Sequence, residues 1–189
     1  MQLNLGIGEF LLGMAGLSAT LFGAFLIGVF FYIDSELHRQ LSASKSTDVF
    51  LRSGMRWVFT AYSVPLLAPL ALVTLDPVWG ALTFIVLALM LLLATVDTGV
   101  HILMKGASGA SRGLVVNHWL TSAAVIVAVI LPWTLGGWVP SAAAFIPSLL
   151  ILLASGFAST AALVMAEWDA TMGMSHELSA GGPTNKSAG

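Results

Sequence analysis

The chain contains no cysteine. Disulfides, thioether-linked haem, iron–sulfur ligation and thiol catalysis are thereby excluded together. Charge is also scarce: Asp, Glu, Lys and Arg make up 8% of the 189 residues, whereas an ordinary soluble domain carries roughly a quarter. There is no HExxH, P-loop or GxGxxG pattern, and the serines have no base at matching depth, so neither a conventional hydrolase nor a nucleotide-binding fold is expected. No enzyme class is indicated by motif, and a redox activity would be that of a membrane subunit. The net charge of −2 is by itself uninformative about partners; no nucleic-acid partner is expected.

Apolar residues fill the space that charge leaves. They make up 58% of the chain and gather into runs long enough for helices that cross a hydrocarbon core about 30 Å thick. Five such runs are expected to span: Phe10 to Ile33, Trp57 to Leu75, Trp79 to Met104, Leu114 to Trp138 and Ser141 to Ala166. They are too long, and too uniformly apolar, for barrel strands of about ten alternating residues. The expected fold is therefore all-α, a polytopic bundle of five transmembrane helices. Residues 1–172 form the transmembrane domain and residues 173–189, with Gly181, Gly182 and Pro183, a disordered cytoplasmic tail. The first span is read as retained, because Met1 to Glu9 has no basic stretch of the kind that opens a cleaved signal.

All seven basic residues fall on one side of this topology. Arg39, Lys45, Arg52 and Arg56 lie between spans one and two, Lys105 and Arg112 between three and four, and Lys186 in the tail; the alternate connections carry none. Basic loops stay in the cytoplasm, so the N-terminus is expected outside and the C-terminus inside a cell membrane. Tryptophan, which favours the headgroup boundary, agrees: Trp57, Trp119 and Trp168 fall at inner ends, Trp79 and Trp138 at outer ends, and Trp133 just over a turn inside Trp138. Small residues suggest the packing faces. Gly13, Gly16, Thr20 and Gly23 form a smooth stripe on span one, and Ser155, Ser159, Ala162 and Ala166 another on span five; both are expected to bury against helices, chiefly within the chain. Beyond the bilayer itself, a homo-oligomer or a larger membrane complex is the partner class such faces would serve.

An ionisable side chain inside the membrane is costly unless paired or hydrated, and so points to function. Asp97 is the clear case, about 10 Å inward from Met104 at 1.5 Å per residue. His101 follows at i+4 on the same face, with Lys105 beyond it. On span four, Asn117 and His118 lie just inside the start, which puts His118 at roughly the depth of His101. A cytoplasmic-side site for a transition metal or a b-type haem is the expectation: His101 and His118 as nitrogen ligands, Asp97 as a further ligand or orienter, and His38 as a third nitrogen if span one packs alongside. Electron transfer or metal handling would follow.

Other readings remain open beside it. Histidines near helix ends can be interfacial residues reaching water, with Asp97 in a structural pair with His101 or Lys105. A transporter or channel for a proton or cation would need a polar path, and the outer halves offer mainly hydroxyls, Thr60, Ser63, Thr74, Thr83, Ser122, Thr134 and Ser148; one for a small neutral solute would escape this objection. A structural subunit of a larger complex is the third. Pro65, Pro69, Pro132 and Pro147 would kink helices or free carbonyls, either of which can open a site, although prolines are common in membrane helices.

The orientation is directly testable. A fluorescent protein fused to the C-terminus should fluoresce in a bacterial host and alkaline phosphatase at the same place should be silent; the opposite pattern would invert the topology.

Overall fold

Among the described residues of the computed structural model the chain forms five helices: α1 (Gln2–Asp34), α2 (Lys45–Thr74), α3 (Pro77–Met104), α4 (Arg112–Gly136) and α5 (Ala142–Ala180). The structure describes the backbone of residues 2–34, 45–104 and 112–180, and side chains over 6–31, 54–100 and 116–165. Each helix holds a stretch long and apolar enough to cross a membrane, namely Gly6–Phe31, Gly54–Thr74, Pro77–Val100, Val116–Gly136 and Ala142–Met165. The five expected spans coincide with these elements. Pro65, Pro69, Pro132 and Pro147 all lie inside continuous helices.

Two helices extend further than the sequence suggested. The stretch from Lys45 to Arg56, which lies between the expected first and second spans, belongs to α2, and α5 runs to Ala180, past the expected start of the tail at Gly173. Leaving hydrocarbon does not itself end a helix: adding residues to an existing one needs no new nucleus, and Ala, Met, Leu, Arg and Glu in these stretches are good helix formers. Residues 35–44, with His38, residues 105–111 and residues 181–189 lie outside the described residues.

The turns at the end opposite the basic residues are built by local chemistry. Asp76 and Pro77 open α3, an N-cap followed by proline at the first helical position, and the Gly80 amide donates to the Asp76 carbonyl at 3.0 Å. α4 closes on Gly137 at φ 72°, whose amide donates to the Trp133 carbonyl at 3.1 Å, a left-handed cap that suits glycine. These short turns pair α2 with α3 and α4 with α5 as antiparallel hairpins, which are the most extensive contacts of the bundle. At Gly80 an added Cβ would stand 3.2 Å from the Leu72 Cα, and at Gly136 2.8 Å from the Pro140 Cβ, so both hairpins need glycine to close.

α2 is the central helix, packing on α1, α3 and α5. Tyr62 supplies much of that role. Its ring is buried against Gly156 of α5, where a Cβ would meet Cε1 at 3.3 Å. Thr160 donates to the Gly156 carbonyl at 2.9 Å, and the Tyr62 hydroxyl lies 3.2 Å from Thr160 Oγ1, so the tyrosine is the donor between them. From α1, buried Ser18 donates to the Tyr62 carbonyl at 3.0 Å. Phe22 packs edge-on against Tyr62 and Phe59, and Phe25 against Phe59. Farther along, Phe84, Trp133 and Phe145 join α3, α4 and α5, with Phe84 and Phe145 centroids 5.0 Å apart.

The small-residue stripes divide. Ser155 and Ser159 of α5 are buried as expected. On α1 the stripe turns outward: Gly13, Gly16 and Thr20 are exposed, and Gly13, Gly16 and Gly23 have no atom within 4 Å of a built Cβ. The opposite face, with Leu11, Met14, Ala15 and Ser18, is the one buried within the chain. Larger side chains and a hydroxyl donor secured that contact, where close backbone approach had been expected to.

Gly156→Val should therefore destabilise the detergent-solubilised protein by about 1–3 kcal/mol, the usual cost of overpacking. Gly13→Val should leave its thermal midpoint nearly unchanged, and equal shifts for the two would contradict this arrangement.

Candidate functional site

The tight α2–α3 hairpin fixes what faces what. Trp57 lies 19 residues before Asp76 and Thr95 19 after it, and the buried Trp57 Nε1 donates to Thr95 Oγ1 at 2.8 Å. Thr95 in turn donates to the Leu91 carbonyl at 2.7 Å, so this hydroxyl both accepts and donates. The indole is locked between the helices at the basic end, and the residues beside it are placed by the same register. Arg56, 20 residues before Asp76, and Asp97, 21 after it, thus come to one level.

Both line a cleft of about 440 Å³ between α2 and α3, together with Phe59, Thr60, Leu93 and Ala94. Arg56 and Asp97 are exposed there, and each lies within a few residues of its span's end in Gly54–Thr74 and Pro77–Val100. Thr60, one turn deeper, donates to the Arg56 carbonyl at 2.9 Å. Phe59 forms one wall and is held from behind by Phe22 and Phe25, at centroid distances of 5.3 and 5.4 Å. A carboxylate and a guanidinium thus stand at the mouth, with apolar walls behind them.

His118 belongs to a different seam. It is partly buried on α4, and its Nε2 lies 3.2 Å from where a Cβ on Gly99 would stand. The imidazole packs on the α3 backbone where glycine leaves room. Its carbonyl accepts hydroxyl protons from Ser122 at 2.7 Å and Thr121 at 3.0 Å. Neighbouring Asn117 reaches across to Ser159 of α5 at 3.4 Å. Below this contact α3 and α4 separate around an apolar crevice of about 410 Å³, lined by residues that include Phe84, Ala88, Val129 and Trp133.

Helical geometry then places the expected ligands. Gly99 faces His118, and Asp97, two residues before it, is turned by about 200° at 3.6 residues per turn. Asp97 accordingly opens on the α2–α3 cleft, whose lining does not include His118. Position 101 is likewise two residues from Gly99, on the α3 face that carries Asp97, and about 3 Å nearer the basic end than the level of His118. The side chain of His101, and all of His38, lie outside the described residues. Among the described residues no group of three or more His, Asp or Glu side chains is arranged to hold a metal ion.

Arg56 is the site residue that the sequence reading used only as a topology marker. The signal for its role is the two-residue connection Leu75–Asp76: counting out from it in both directions brings Arg56 and Asp97 to within about a residue or two of the same level. The hydroxyls considered for a transmembrane path are mostly engaged. Thr60, Ser63, Thr74, Thr83, Ser122 and Thr134 donate to carbonyls of their own helices, and buried Ser148 Oγ has no partner. Gly109 to Gly113 spells GxSxG, but that motif acts at a strand-to-helix turn, and the flanking elements here are both helices.

Comparisons with protein families, curated proteins and solved structures give no match. The class is defined by the fold itself, an all-helical protein whose five apolar helices make it multi-pass in a membrane.

The Gly99–His118 contact predicts a coupling. Gly99→Val should cost about 1–2 kcal/mol by crowding the ring, and that cost should largely vanish when combined with His118→Ala. Additive effects in a double-mutant cycle would place the imidazole elsewhere.

Proposed function

We propose that the protein acts as a ligand-binding membrane protein, oriented with its N-terminus outside and C-terminus in the cytoplasm, whose site is the charged cleft between α2 and α3 at the cytoplasmic edge. The observation that carries this reading is that Arg56 and Asp97, of opposite sign and both exposed, line one cleft at the edge of the apolar spans. An ionisable side chain within an apolar span is a pointer to a functional site. A guanidinium lining the same cleft as the carboxylate disfavours a bare cation, whose charge it would oppose, and favours a ligand with an anionic group. Such a ligand enters from one side, in keeping with hydroxyls elsewhere that are occupied by their own helices.

A cysteine-free chain makes the test clean. A bimane fluorophore on Thr60→Cys should change emission saturably with a charged amphiphile from the series dodecyl phosphate, dodecylphosphocholine and dodecylamine, and the response should be lost with Arg56→Gln or Asp97→Asn. If no member of the series, nor inorganic phosphate, gives a saturable response, the cleft is not a binding site.

A second reading, a transition metal or b-type haem with His101 and His118 as ligands in electron transfer or metal handling, is favoured by one observation. The His118 imidazole is held within a span, facing α3 over the gap that Gly99 leaves. Imidazole suits zinc, copper and iron. The described geometry supports His118 as a ligand more than Asp97, which faces the other cleft. Purified protein should then carry stoichiometric metal or a Soret band, reduced by His118→Ala; absence of both from wild-type protein removes this reading.

A further inference from the structure

The cleft between α2 and α3 is graded with depth, and the gradient is that of a lipid. Arg56 and Asp97 stand at the mouth, in the third residue of the span Gly54–Thr74 and the fourth from the end of Pro77–Val100. One helical turn deeper come Thr60 and Leu93, with Phe59 and Ala94 beside them. Leu93 is 63% exposed, so the groove opens sideways onto the bilayer and is not enclosed by the bundle. A water-borne solute would meet matching polar groups only at the mouth. An amphiphile standing in the leaflet would match the whole length.

We infer that the cleft between α2 and α3 binds a zwitterionic phospholipid of the cytoplasmic leaflet that carries a primary ammonium, its phosphodiester on Arg56, its ammonium on Asp97 and its upper acyl chain along Phe59, Leu93 and Ala94. This deepens the proposed function and rests on it. The pairing follows from charge. A guanidinium binds phosphate oxygens through charge-assisted hydrogen bonds, often two at once. A carboxylate accepts from an ammonium, which has protons to donate where a quaternary amine has none. An anionic headgroup would satisfy Arg56 but would be repelled by Asp97; a fatty amine would do the reverse. The headgroup with both charges meets both residues at once. The apolar wall is fixed before binding, because Phe59 is backed by Phe22 and Phe25 of α1, so little ordering is needed when a chain lies against it.

The test is lipid titration of the delipidated full-length protein in detergent, read by thermal stability and by native mass spectrometry. Phosphatidylethanolamine should raise the thermal midpoint and appear as a bound adduct, with phosphatidylcholine and phosphatidylglycerol each weaker. Arg56→Gln and Asp97→Asn should each weaken phosphatidylethanolamine binding about tenfold, the effect of losing one charge-assisted hydrogen bond. Asp97→Asn should bring phosphatidylglycerol up to the level of phosphatidylethanolamine. Leu93→Trp, at an exposed position, should block the groove in a protein that still unfolds cooperatively, which keeps the test open if a charge variant fails to fold. The soluble headgroup glycerophosphoethanolamine should give no stabilisation, since it lacks the chain. If phosphatidylglycerol or glycerophosphoethanolamine binds as well to wild-type protein, with dependence on Arg56 and Asp97, the lipid assignment falls and the ligand-binding cleft stands. If no lipid or headgroup binds in a manner sensitive to Arg56, Asp97 or Leu93, both fall.

Discussion

The Tyr62 junction is the interaction on which the rest of the bundle depends. In hydrocarbon there is no hydrophobic drive to bring helices together, so association relies on close packing and interhelical hydrogen bonds. Tyr62 combines the two. Its ring fills the notch at Gly156, its hydroxyl donates to Thr160, and its carbonyl accepts from Ser18. α1, α2 and α5 are thereby held at one level, and the hairpin partners α3 and α4 are carried into position by short turns. Each interhelical hydrogen bond contributes only about 0.6 kcal/mol on average in a membrane protein, so it is the combination of bond and ring packing at one residue that makes the junction effective.

The same economy explains the two seams of α3. Toward α2, the Asp76 turn and the Trp57–Thr95 hydrogen bond enforce register, and Arg56 and Asp97 are brought to one mouth as a consequence. Toward α4 the two helix ends, Met104 and Arg112, are eight positions apart in the chain, against three between Thr74 and Pro77. The helices touch at Gly99 and His118 and part around the apolar crevice. A tightly zipped seam gives a cleft of defined chemistry at its edge, and a loose seam gives an apolar gap. The chemistry of the molecule is therefore distributed around α3, with the acid on one side and the imidazole on the other.

That division accounts for how the expected site fared. Depth was legible, since 1.5 Å per residue applies to any helix and places Asp97 and His118 within the same few ångströms of the basic end. Azimuth was not. Two residues of offset turn a side chain by about 200°, and tertiary contacts, Gly99 against His118 and Trp57 with Thr95, fix which way α3 is rotated. Arg56 was visible as a boundary charge, yet its association with Asp97 required knowing that α2 and α3 close as a tight hairpin. The outward stripe on α1 has the same origin: a smooth helix face can meet a neighbour or lipid, and the competing face with Ser18 and Met14 won because it offers a hydroxyl donor and larger side chains to the groove beside Tyr62.

By itself the sequence determined that five apolar helices would form and that the basic residues would gather at one end, because these follow from length, apolarity and the cost of charge in a bilayer. The tertiary structure decided helix rotation, which glycines face inward, and which polar groups share a cleft. Those depend on a few contacts between residues distant in the chain, such as Ser18 with Tyr62 and Tyr62 with Thr160, and hydropathy, which is nearly uniform around these helices, carries no record of them.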